Sequence, residues 1–205
     1  MTKSPTPQAD RTWWEGRHSP PWYADPRRTT CLIPLIGSLV FVFSYADAVS
    51  APFAVTTRTL VIALVLTSLF CMFVKRSWLG PFQPATARGI VIYLLCVAGE
   101  IGLIAAGSRW LDARGEGELR PALIAAVVGL HFIPFAWAFK ERMFYWLGSA
   151  LLLTGLVGLA SAQGSWALAS ATLSGLLMAA LTLAYARGTF ATSPPPPMSY
   201  LDRTT

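Results

Sequence analysis

Six apolar runs of membrane-crossing length alternate with short polar links along the chain. An apolar helix of about 20 residues, rising about 1.5 Å per residue, crosses the roughly 30 Å hydrocarbon core of a bilayer. The pattern therefore predicts an all-α polytopic membrane protein, a bundle of six transmembrane helices. The first run is CLIPLIGSLVFVFSYADAV, residues 31–49, and the second covers about 55–74. The third spans Arg88 to Trp110, and the fourth is RPALIAAVVGLHFIPFAWAFK, residues 120–140. MFYWLGSALLLTGLVGLASA and SWALASATLSGLLMAALTLAYA, separated by a very short turn at Gln163-Gly164, complete the set.

The links divide the chain into three parts. Residues 1–30 form an aromatic and basic arm with Trp13, Trp14, Trp22 and Tyr23, side chains that favour the headgroup zone. The same stretch also reads as a plain disordered tail. Residues 31–187 are the six-helix transmembrane domain, and the proline-rich residues 188–205 are expected to be extended and disordered. Arg27-Arg28 ahead of the first run, and Ala46-Asp47-Ala48 near its end, also resemble a cleaved signal peptide. The long polar stretch before that run, and the spans after it, favour an uncleaved helix. Of the 16 lysines and arginines, 12 fall on the side of the N-terminus and 4 on the other. The positive-inside rule then predicts that both termini are cytoplasmic, in the cell membrane.

Composition sharpens this picture. Hydrophobic residues make up 54% of the chain and charged residues only 13%, against about 25% charge in soluble domains. The net charge of +6 sits at the ends of apolar runs and not in a basic block, so it orients the chain and does not recruit nucleic acid. Cys31, Cys71 and Cys96 show no metal-ligand spacing and read as reduced, buried thiols. With only His18 and His131, a bis-histidine haem lacks its second ligand at membrane depth, and no cofactor or metal is expected. GxSxG, HExxH, Walker and dinucleotide motifs are all missing, which argues against an enzyme. The phrase GLHFIPFAWAF resembles small uncharacterised bacterial membrane proteins, a resemblance that implies no function. The abundance of alanine, glycine and arginine also fits a bacterium.

Candidate chemistry is sparse. Glu100 lies 12 residues past Arg88, about 18 Å along its helix at about 1.5 Å per residue. His131 lies nine residues before Lys140, about 13 Å from the same side. Two ionisable groups at similar depth on consecutive antiparallel spans must pair, titrate or face water. One reading is a proton relay with Glu100 as carrier and His131 as partner; the other is a neutral hydrogen bond that fixes packing. Gly99 and Gly102 leave room beside the carboxyl, and Pro134 cannot donate to the Leu130 carbonyl. Asp47 and Arg58 are expected to pair at the opposite interface. Two small-residue ladders, Ala150, Thr154, Gly158, Ala162 and Ala167, Ala171, Gly175, Ala179, are expected to face each other or to form a homodimer contact. No three-plus-three inverted repeat is visible, since the sixth run has no counterpart to Glu100. Two functions follow as expectations: a small proton-coupled transporter or channel-like protein, or a non-transporting subunit or scaffold held by a partner membrane subunit.

Overall fold

The computed structural model describes residues 25–79 and 86–191. The four aromatic residues of the arm, and the proline run of the tail, lie outside the described residues. Among the described residues, the regular structure is entirely helical. Helix α1 (Pro26–Thr30) leads through Cys31 into α2 (Leu32–Tyr45), and α3 (Ala51–Leu69) continues into a π-helical turn, Phe70–Val74. Then come α4 (Ala87–Ala113), α5 (Arg120–Phe139), α6 (Met143–Ala160) and α7 (Gly164–Ala186). Together they supply six helical stretches long and apolar enough to cross a membrane. This is the architecture of a membrane protein.

Local chemistry sets the helix ends. The Asp25 carboxylate accepts from Arg27 N at 3.0 Å and starts α1, so the first helix begins inside what the sequence suggests is the polar arm. Proline in the first turn of α3 starts that helix at Ala51, earlier than the expected Val55, because a missing N–H costs nothing there. Thr86 Oγ1 accepts from Gly89 N at 3.1 Å and caps α4. At the other ends, Arg76 (φ 53°) and Lys140 (φ 56°) turn the chain in the left-handed conformation. Links alternate between two ends of the bundle. Asp25, residues 75–79, the α5–α6 turn and the end of α7 share one end, called here the Asp25 end. The other three links share the Asp47 end.

Packing is uneven. Between α5 and α6 the backbones touch: a Cβ at Gly148 would lie 2.8 Å from Gly129 O, and one at Gly155 would lie 2.7 Å from Ala122 O. Small residues at such crossings replace the hydrophobic drive that lipid removes. Helix α7 packs on α2, where a Cβ at Gly175 would lie 2.8 Å from Ser38 O. Its buried Ser170, Ser174, Thr172 and Thr182 all return their hydroxyls to carbonyls of their own helix, so no polar group is stranded. The two small-residue ladders do not meet along their length. Gly158 does meet Ser170 of α7, but Gly175 faces α2, and Ala162 is exposed in a left-handed turn. The glycines that bring the backbone of α6 against that of a neighbour are Gly148 and Gly155, and that neighbour is α5, while Gly158 admits the Ser170 side chain of α7.

Helix α4 is the exception. Half of the apolar stretch of α5 is buried inside the bundle, but only 6% of that of α4. It lies along α5, with Gly89 near Ala138 O and Gly107 against Leu123, and its other faces are open.

Candidate functional site

Glu100 and His131 meet across the α4–α5 seam. Oε2 of Glu100 lies 3.1 Å from Nδ1 of His131, with side chains 20% and 12% exposed. The oxygen is off the direction in which Nδ1–H would point, so this nitrogen has no aligned hydrogen bond. The separation itself is within hydrogen-bonding range. The imidazole is fixed by aromatic neighbours: Phe132 with ring centroids 4.3 Å apart, and Phe135 at 5.0 Å in an edge-on contact. Tyr93 of α4 lies 5.4 Å from Phe135 and closes the seam below.

Helical periodicity explains why the two meet. Gly89, Tyr93, Glu100 and Gly107 lie on one face of α4, and all four contact α5. Gly99 and Gly102 lie off that face, and a Cβ added to either would meet nothing within 4 Å. The carboxyl therefore has packed aromatic residues on the α5 side and free room on the other. Pro134 lies within α5, one turn beyond His131 towards the Asp25 end.

Asp47 and Arg58 also come together, through an exposed ion pair, and the guanidinium lies over the Phe43 ring with 4.9 Å to its centroid. Exposed pairs of this kind contribute little to stability. A cleft of about 560 Å³ opens at the same end, lined by Tyr45, Glu118 and Arg120 among others. It is remote from the Glu100–His131 seam. Arg120 is itself paired with Asp112 at 2.5 Å.

One cluster has no counterpart in the sequence reading. At the Asp25 end, Asp25 and Arg28 are both buried. The Arg28 guanidinium donates to Met72 O, and to Ser77 O at 2.9 Å. Met72 lies in the last turn of that helical stretch, where carbonyls lack a partner from the helix itself, and the π-helical ladder sends Lys75 N to Phe70 O and Ser77 N to Cys71 O. Tyr185 donates its hydroxyl to Glu141 Oε1 at 3.3 Å. Burial pushes the Glu141 carboxyl above the usual range, the nearby Asp25 charge adds to this, and Arg27 and the Tyr185 hydrogen bond act against it. The sequence shows these charges only as flanks of apolar runs, which is the signature of orientation and carries no hint of burial.

Residues 115–186 match the model of DUF7010, a family of unknown function. The similarity takes in α5, α6 and α7, so it includes His131 but stops short of Glu100. No curated protein and no solved structure matches the chain.

Proposed function

We propose that this chain is a small proton-coupled transporter or channel-like protein of the cell membrane, with Glu100 and His131 as its proton-binding pair. The observation that carries the reading is the 3.1 Å approach of carboxyl and imidazole at mid-span. With one proton between them the pair is neutral overall, whether written as acid and imidazole or as carboxylate and imidazolium. Losing that proton or gaining a second leaves a net charge in hydrocarbon, which costs at least about 2.5–3.5 kcal/mol. Loading and release thus require water or a counter-charged solute at the site, and that requirement is what couples proton movement to transport. Gly99 and Gly102 are exposed and leave the surface beside the carboxyl uncovered, the side from which such an occupant would approach. Both termini lie in the cytoplasm in this reading, on the strength of the 12-to-4 bias of basic residues. Proton flux in liposomes, followed by an internal pH dye, tests the proposal. Flux in the wild type that is lost in both Glu100→Gln and His131→Ala supports it, and flux that survives both variants rejects it.

A second reading is favoured by the exposure of α4. A helix that touches one neighbour and leaves most of its length uncovered also suits a subunit of a larger membrane assembly. In that case the pair is a dry packing bond, and a partner protein co-purifies from mild detergent. Its release by bulky substitutions on the open face of α4, without any effect on proton flux, separates the two readings.

A further inference from the structure

The Asp25 end holds a buried ionic cluster that the proton pair does not use. Four segments converge there: α1, the 75–79 link, the α5–α6 turn and the end of α7. Asp25 accepts from Arg27 Nε at 3.1 Å and from the other arm of that guanidinium at 3.0 Å. Arg28 reaches across to Met72 O at the end of the second span and to Ser77 O in the link after it, so α1 is tied to the turn that follows α3 by one side chain. Beneath it Cys31 is buried, in the same cluster as Met72, Leu79, Met143 and Tyr185. Opposite, Tyr185 and Glu141 tie the end of α7 to the α5–α6 turn.

We propose that this cluster is a releasable clasp: Arg28 and Asp25 lock α1 over Cys31, and their release opens the bundle at this end. Three observations make it releasable and not a plain rivet. The lock is polar: the buried guanidinium holds the neighbouring segment only through two backbone carbonyls, with its ion pair to Asp25 lying inside residues 25–28, and apolar packing of the same shape would serve better for fixed closure. It is incompletely satisfied, because Nε of Arg28 is buried without a hydrogen bond and the Asp25 oxygen nearest it is 3.8 Å away. It also grips strained backbone. Arg76 and Lys140 are two of the three non-glycine residues with positive φ among the described residues, and each lies in a turn that the cluster touches. Such conformations persist where surroundings enforce them and collect at sites that switch. The Asp47 end also has an unpaired guanidinium nitrogen, Arg58 Nε, and a left-handed residue, Ala162, but there the Asp47–Arg58 and Asp112–Arg120 pairs are exposed beside an open cleft and hold no buried segment. The clasp stands independently of whether Glu100 and His131 carry a proton.

Cys31 is a native reporter of the clasp. In liposomes or mild detergent, the folded wild-type chain is treated with a small maleimide and the labelling of each cysteine is quantified by mass spectrometry. Labelling of a buried thiol tracks the population of the locally open state, so Asp25→Asn and Arg28→Gln should raise the Cys31 rate by about tenfold or more. Cys96, on α4, should keep its wild-type rate. Tyr185→Phe should act in the same direction and more weakly. Unchanged Cys31 labelling in all three variants overturns the clasp. So does a rise in which Cys31, Cys71 and Cys96 move together, since that is global unfolding and not local release.

Discussion

Helices α4 and α5 carry the two halves of one site, and they are held in opposite ways. Helix α5 lies against α4, α6 and α7, and at Gly129 its backbone touches that of α6. Helix α4 has one helical neighbour along its length. The imidazole is therefore mounted on one of the two most buried spans, and the carboxyl on the least buried one. A rigid base beside a movable arm is a sound arrangement for a group that must load and release a proton, because small shifts of α4 change the distance between the partners without disturbing the core. It equally exposes α4 to a partner. The difference in packing, more than the presence of the two residues, is what makes the pair worth testing.

The comparison breaks most visibly at the α5–α6 crossing. Gly155→Val inserts a side chain where even a Cβ meets the backbone of Ala122 and Ala126, so the helices must part. Overpacking of this sort costs about 1–3 kcal/mol or more, and thermal unfolding in detergent should show a large fall or loss of the folded protein. On the other side of α5 the same insertion should cost less. Gly107→Ala meets only the tip of the Leu123 side chain, which can change rotamer, and the shift should be under about 1 kcal/mol. Any part of the clash that Leu123 does not absorb shifts α4 against α5, so proton flux should respond more than stability does. Gly99→Leu should leave stability within about 0.5 kcal/mol, because nothing stands within 4 Å of the site. If it abolishes flux nonetheless, the open space is used by an occupant; if it releases a co-purifying protein instead, α4 is a docking helix.

The smallest effect concerns the Asp25 end. Burial raises the Glu141 carboxyl in the folded chain, so the native state binds that proton more tightly than the unfolded state. Stability is then fully present below the unfolded carboxyl range and declines as pH rises through the raised value. Arg27 and Tyr185 limit the decline, and Asp25 adds to it. Glu141→Gln should flatten this part of the stability profile, and a profile of unchanged slope would contradict the burial of that carboxyl.

Much of this was legible in the chain. Length and hydropathy specify six spans because lipid admits only helices and closed barrels, and unbroken apolar runs of about 20 residues have the length of helices. The depths of Glu100 and His131 follow from residue counting, since rise per residue is fixed. Pairwise helix contacts were not legible. The ladder through Ala150, Thr154 and Gly158 looks as good on paper as the Gly148–Gly155 approach, and spacing alone does not say which neighbour a helix face meets. The clasp was hidden for a different reason. Arg28 and Glu141 lie at the ends of apolar runs, where basic and acidic residues usually face water, and the burial of the first and half-burial of the second depend on four segments that are distant in sequence.

The central claim is that the Glu100–His131 pair exchanges a proton with water. Infrared difference spectroscopy tests it most directly, by comparing wild type with Glu100→Gln from about pH 5 to about pH 9, the range in which an imidazole and its partner are open to tuning. A carboxyl band that is absent from the Glu100→Gln spectrum and titrates within that window is the predicted result. A band assigned to Glu100 that stays unchanged across the whole range would show a sealed packing bond, and would contradict the account.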